Sequence, residues 1–152
     1  VLRKLKDMLA YQFEESTKEK VALADEIAFL SDFLQLESIR RDSFKHMVVD
    51  IDCPRGIELP PLLFIPFVEN AVKHGNETRG ESYVLVIFSG NRHELDFVCT
   101  NSKPSCSNRP LRPGGLGLSN TRRRLELLYP GRYSLKINET EKTYTVNLHI
   151  NL

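Results

Sequence analysis

Apolar side chains recur at Leu2, Leu5, Leu9 and Phe13, and again at Leu23, Ile27, Leu30 and Leu34, with Phe33 and Ile39 widening the second stripe. Steps of three and four residues put each set on one face of a helix. No glycine or proline occurs before Ser43, so the pattern predicts two helices, broken around Ser16–Leu23. Ser16-x-x-Glu19 has the form of a capping box for the second helix. The 4-3-4 spacing of that helix suits a helical hairpin or a dimer seam, and equally suits packing against its own domain.

The pattern then changes. Phe44–Asp52 reads as a strand, followed by a turn at Pro54-Arg55-Gly56. Pro60-Pro61 opens an apolar helix from Leu62 to His74, which Gly75 is placed to end. Pro66 within it should kink the helix or confine its start. Tyr83–Phe88 is an unbroken apolar run, which predicts a strand buried on both faces. Gly90-Asn91 supplies a turn, and Glu94–Thr100 returns as the next strand of a hairpin. Asn101–Gly115, with Pro104, Pro110, Pro113 and two glycines, reads as loop, and Leu118–Tyr129 as helix. Tyr133, Leu135 and Ile137 alternate with polar residues, as do Tyr144, Val146, Leu148, Ile150 and Leu152, which predicts two half-buried strands. Helices together with strands joined by short turns imply an α+β class, a two-layer sandwich with a mostly antiparallel sheet covered by helices on one face.

The length of 152 residues fits one domain with a helical appendage, able to bury ~70% of its unfolded surface. Three cysteines without a CxxC pair exclude a zinc ribbon or a disulfide framework. A net charge of +1 argues against a nucleic-acid partner. No apolar run approaches the ~20 residues of a membrane span, and no signal peptide is visible. The chain starts at Val1 without Met, so it reads as a soluble piece of a longer protein. Its charge is uneven: residues Val1–Ser43 carry net −2 and Asn101–Arg132 net +6. The basic stretch suits a polyanion such as phosphate, or is a solvated face.

Two elements can carry chemistry. Asn70, Lys73 and His74 lie at i, i+3 and i+4 and so share one face near the end of an otherwise apolar helix. An amide oxygen is a hard ligand for Mg²⁺, and an ammonium one turn on meets phosphate. Alternatively, these residues mark the solvent side of a helix end whose dipole favours cations. Gly114-Gly115-Leu116-Gly117-Leu118 runs into a helix N-terminus, a natural anion site. It is neither a Walker A loop nor a dinucleotide fingerprint, and such a cluster can also be a simple connector.

Taken in this order, the two elements resemble the ATP-binding domain shared by sensor histidine kinases, gyrase-type ATPases and the related heat-shock chaperones. Pro60-Pro61-Leu62-Leu63-Phe64-Ile65-Pro66-Phe67-Val68-Glu69-Asn70-Ala71-Val72-Lys73-His74-Gly75 is similar to the N box of LytS-type sensor kinases. Gly115-Leu116-Gly117-Leu118-Ser119-Asn120-Thr121-Arg122-Arg123-Arg124-Leu125-Glu126-Leu127-Leu128-Tyr129 resembles their second glycine box and its helix. Val21-Ala22-Leu23 with Glu26-Ile27, and Leu36-Glu37-Ser38-Ile39-Arg40, resemble the end of their dimerisation hairpin.

The resemblance implies a Bergerat-type ATP-binding fold at residues 43–152, preceded by the end of the dimerisation and phosphotransfer helices at 1–42. It implies ATP and Mg²⁺ as cofactors. Asn70 would coordinate the metal, with Glu69 as polar assistant. Lys73 and His74 would contact phosphates, Gly115, Leu116, Gly117 and Leu118 would border them, and Thr143 would lie near the adenine. Asn101 stands where the first glycine box carries Asp, and both glycines of that box are absent. An asparagine still accepts through its carbonyl oxygen but lacks the charge. His46, His93 and His149 do not occur in the family's acceptor context, which implies a phosphorylated histidine upstream of Val1. The implied activity is phosphoryl transfer from ATP to that histidine, then to a response regulator of the LytTR-associated kind. The implied setting is a homodimeric, inner-membrane-anchored bacterial receptor with this part in the cytoplasm. The lost glycines also admit a catalytically weakened scaffold, and a gyrase- or chaperone-branch ATPase is a third reading.

Overall fold

The computed structural model describes residues 1–75, 81–103 and 116–152, without the side chains of Gly75, Leu116 and Gly117. Helix α1 (Leu2–Glu15) leads through a short strand β1 (Val21–Ala22) into α2 (Leu23–Ile39). Next come β2 (Phe44–Ile51), β3 (Glu58–Leu59), α3 (Ile65–Gly75), β4 (Ser82–Gly90), β5 (Glu94–Ser102), α4 (Leu116–Leu128), β6 (Tyr133–Glu139) and β7 (Thr143–Asn151). The main sheet runs β2-β4-β5-β7-β6. The β2–β4 pair is parallel, because β3 and α3 form the crossover between them, and the other pairs are antiparallel.

The first helices divide the alternatives left open by their spacing. In α2, Leu23, Phe29, Leu30 and Leu34 are buried in the same core as the sheet. In α1 only Met8 is buried, while Leu2 and Phe13 are each 82% exposed and Leu5 and Leu9 are also open. Tyr11 stacks on Phe29 at 4.9 Å, and Lys4 pairs with Asp32 at 3.6 Å, so one side of α1 lies on α2 and its leucine stripe faces outward. The Ser16–Glu19 capping box does not form. Ser16 and Thr17 donate backwards to Phe13 O and Glu14 O, and Ala22 caps α2 without a side-chain bond. The box residues instead turn at the end of α1, with Lys18 N donating to Glu15 O at 3.1 Å, and the chain then enters β1, whose Val21 pairs with Leu59.

Four other elements depart from the sequence pattern. Helix α3 begins at Ile65, not Leu62, which puts Pro66 in its first turn. Had the helix included Leu62, the Pro66 ring would meet the carbonyl of that residue; instead Leu62 turns away at φ +57°. Strand β4 is buried on one face only: Val84, Val86 and Phe88 point into the core, and Leu85 and Ile87 lie half-buried on the open face beside exposed Tyr83. Helices cover one side of this sheet, so an apolar run does not imply two covered faces. Asn101 belongs to β5 rather than to a loop, since pairing with β7 continues through Ser102–Thr143. Helix α4 spans Leu116–Leu128, shifted slightly from the expected Leu118–Tyr129.

Four phenylalanines join α3 to the sheet. Phe64 meets Phe88 edge-on at 5.0 Å and Phe97 at 4.9 Å, and Phe97 also meets Phe67 at 5.7 Å and Phe88 at 5.2 Å. At the far end of the hairpin Asn91 Oδ1 accepts from His93 N and Glu94 N. A Cβ on Gly90 would lie 2.3 Å from the Glu94 carbonyl oxygen and 3.0 Å from the Leu95 Cα, both backbone atoms that cannot yield alone. Gly90→Ala is therefore expected to lower stability by about 1–3 kcal/mol in chemical denaturation. A loss below a few tenths of a kcal/mol would show that the turn rearranges freely.

Candidate functional site

One end of the sheet collects several of the residues singled out in the sequence. The site end of α3 carries Asn70, half-buried, then Lys73 and His74, both exposed, while Ala71 and Val72 face the core. The His74 ring lies 6.1 Å from that of Tyr144, the second residue of β7. Tyr144 is paired with Asn101 of β5, and Thr143 with Ser102. A turn fixes Thr143: its N–H donates to Thr140 Oγ1 at 3.0 Å and its carbonyl accepts from Thr140 N at 2.9 Å. Lys103 N closes the same end on Lys142 O at 2.8 Å.

Asn101 is the most informative of these residues. It is 0% exposed, and its Nδ2 donates to Ser102 O at 2.9 Å, yet its Oδ1 has no partner among the described residues. A buried carbonyl oxygen without a donor is costly, by about 1–3 kcal/mol. It suits a ligand carrying an N–H group, and a purine amino group is such a donor. The residues present therefore fit a nucleotide. Among the described residues no cluster of three His, Cys, Asp or Glu could hold a metal on its own. A cation here would share Asn70 with the phosphates of its ligand.

The charge around the site is partly committed to the fold. Lys103 bonds Glu139 at 2.6 Å and Thr140 O at 2.9 Å, and the Arg132 guanidinium lies 5.5 Å from the Tyr129 ring centre. Arg122 and Arg123 are exposed on α4. Burial, with Glu139 adding, raises the Tyr144 hydroxyl above its ordinary range, while nearby Arg122 pulls it the other way. Partial loss of hydration raises the Glu69 carboxyl, although its residue lies on the exposed side of α3. Leu118 is buried, so its side chain packs into the core, and any contact it makes with a ligand is through its backbone. Gly115 lies outside the described residues; Leu116 and Gly117 are described only as the first residues of α4.

Sequence patterns did not single out Tyr144, Glu26 or Arg124 for this region. Glu26 of α2 is fully buried; its Oε1 accepts from Tyr11 Oη and from Leu62 N, both at 2.8 Å. Arg124 of α4 donates to Leu62 O at 3.0 Å and to Pro61 O at 2.6 Å. The sequence signals were a carboxylate among the apolar positions of α2, an arginine within a basic run, and the place of both in segments that resemble those of sensor kinases.

Burial raises the Glu26 carboxyl above its usual range, opposed by its bonds from Leu62 and Tyr11 and by the charge of Arg124, with Asp25 adding to the rise. The folded chain thus holds this proton more tightly than the unfolded one. That contribution to stability is full below the unfolded carboxylate value of about 4.3 and is lost as pH rises through the folded value. Urea unfolding of wild type and Glu26→Gln from pH 4 to 8 should show the variant gaining relative to wild type as pH rises. A pH-independent difference would contradict the raised value.

No protein-family model matches the chain. Over 130 residues it is 29% identical to sensor histidine kinase YpdA of Escherichia coli, covering 80% of this chain and 23% of that protein. The catalytic domain of histidine kinase ThkA superposes with a TM-score of 0.62 at 16% identity, covering 87% of this chain and 93% of that one. The fold is that of a histidine kinase catalytic domain. ThkA has also been solved in complex with the response regulator TrrA. The histidine kinase domain of the blue-light activated kinase from Erythrobacter litoralis EL346 covers 98% of this chain and 78% of its own, with TM-score 0.62 and 20% identity. The chain spans less than a quarter of the length of YpdA. Among the described residues no helix is long and apolar enough to cross a membrane.

Proposed function

We propose that this chain is the ATP-binding catalytic part of a LytS-type two-component sensor histidine kinase. The observation that carries the reading is the buried, unpartnered Oδ1 of Asn101, at the end of the sheet where His74 meets Tyr144. Similarity to sensor kinases over most of the chain supports it. Asn101 Oδ1 would accept from the adenine amino group, beside Thr143. Asn70 would hold Mg²⁺ through its amide oxygen, with Glu69 next to it, and Lys73 and His74 would take the phosphates. Gly115, Leu116, Gly117 and Leu118 would offer backbone N–H groups at the start of α4. When bound, ATP would supply the phosphoryl group and Mg²⁺ would neutralise its charge. The residues of the chain contribute by orienting it and excluding water.

The acceptor histidine belongs to another segment of the parent. His46 packs on Phe44 at 6.0 Å, and His149 is bonded to Asp96 at 2.8 Å; both lie on strands and not on α1 or α2. The open leucine stripe of α1 suits pairing with a second copy in the parent, and a response regulator would then receive the phosphoryl group. The parent would be anchored in the inner membrane, with this part in the cytoplasm. Titration with Mg·ADP tests the reading: saturable, magnesium-dependent binding is expected, and a folded chain that takes no nucleotide would refute it. Asn101, in place of the charged residue of the first glycine box, also supports a weakened, scaffold-like role. Nucleotide binding without phosphoryl transfer in the longer parent chain would favour that role.

A further inference from the structure

The turn that starts α3 is held from two sides by residues that do not reach the nucleotide site. Leu62 lies in the left-handed region at φ +57°, a conformation unfavourable for a leucine. Its N–H is taken by Glu26 from α2, and its carbonyl, with that of Pro61, by the two terminal nitrogens of Arg124 from α4. Tyr11 of α1 completes the chain on Glu26 Oε1, while Glu26 Oε2 stays buried without a partner among the described residues. A carboxylate in that position is a poor adhesive. Apolar groups of similar volume often serve as well or better in a core. A strained turn secured by polar bonds from two helices suits a different task, the accurate placing of the helix that it introduces.

That helix is α3, which begins three residues after Leu62 and carries Asn70, Lys73 and His74. Helices α2 and α4 both pack against α3. We propose that Glu26 and Arg124 are positioning residues of the nucleotide site, gripping the Pro61–Leu62 turn so that α3 and α4 keep one relative placement. The proposal rests on reading α3 as nucleotide-binding. Because Glu26 of α2 also bonds Tyr11 of α1, the same grip ties α1 to the placement of α3.

The test uses the 152-residue chain, with Mg·ADP as calorimetric probe and amide hydrogen exchange as a second readout. Glu26→Leu and Arg124→Met are each expected to weaken Mg·ADP binding about five- to tenfold. Glu26→Gln, which keeps an acceptor for Leu62 N–H, should stay within about twofold of wild type. The double variant should be little weaker than the worse single one, since both residues hold one turn. Without nucleotide, amides over residues 62–72 should exchange faster in Glu26→Leu and Arg124→Met than in wild type or Glu26→Gln. If Arg124→Met fails to fold, Arg124→Lys replaces it, with the same direction expected. Unchanged affinity in the folded variants, or equal loss in Glu26→Gln and Glu26→Leu, would overturn the proposal. Should the wild type itself bind no Mg·ADP, the functional reading falls and exchange alone decides: faster exchange over 62–72 upholds the grip, and unchanged exchange overturns it.

Discussion

Phe97→Ala is expected to cost about 3–5 kcal/mol, measured as the change in urea-unfolding free energy. Phe97 is 1% exposed and its ring touches Phe64, Phe67 and Phe88, so its removal opens a cavity between α3 and the centre of the sheet. The neighbours are rings on separate elements, each held by its own backbone, which restricts how far the gap can collapse. Against a total stability of about 5–15 kcal/mol for a domain of this kind, the loss is large enough to populate the unfolded state on warming. A loss under about 1 kcal/mol would mean that the cluster repacks and does not fix α3 on the sheet.

Asn70→Ala is expected to weaken magnesium-dependent nucleotide binding at least about tenfold while leaving the fold intact. Asn70 is half-buried on α3, on the helix face that also carries Lys73 and His74, whereas Ala71 and Val72 supply the packing. On the proposed reading its removal would take away an oxygen ligand of Mg²⁺, and it should change unfolding free energy by no more than about 0.5 kcal/mol. Titration with Mg·ADP, repeated with the metal chelated, separates the two contributions. In wild type, chelation should abolish most of the binding; in Asn70→Ala, it should change little. Equal affinity of wild type and a folded variant would remove Asn70 from the site.

These two residues show different kinds of legibility. Asn70, Lys73 and His74 could be grouped from their spacing because a helix of known pitch places i, i+3 and i+4 together. Phe97 could be assigned to a strand by alternation, but its three aromatic partners come from α3, its preceding turn and β4. Asn101 stands out in the sequence through a resemblance at one position. That it is buried with an unpartnered oxygen depends on β5 continuing to Ser102, which depends on pairing with β7. Pro66 announces a disturbance in α3; where the helix begins is settled by the Leu62 turn and its partners on α2 and α4.

The sequence alone determined the order of the helices and of the main-sheet strands, though not the short β1 and β3, together with the alternating strands β6 and β7 and the polar face of α3. All of these arise from local periodicity, which acts over a few residues and needs no knowledge of the partner surface. Only the tertiary structure decided that α2 is buried while the leucines of α1 stay exposed, that β4 is covered on one face, and that Glu26 and Arg124 meet at one turn. Such choices depend on which surfaces the folded chain brings together. Glu26 and Arg124 bond Leu62 across separations of 36 and 62 residues, and no pattern within a helix encodes a contact at that range.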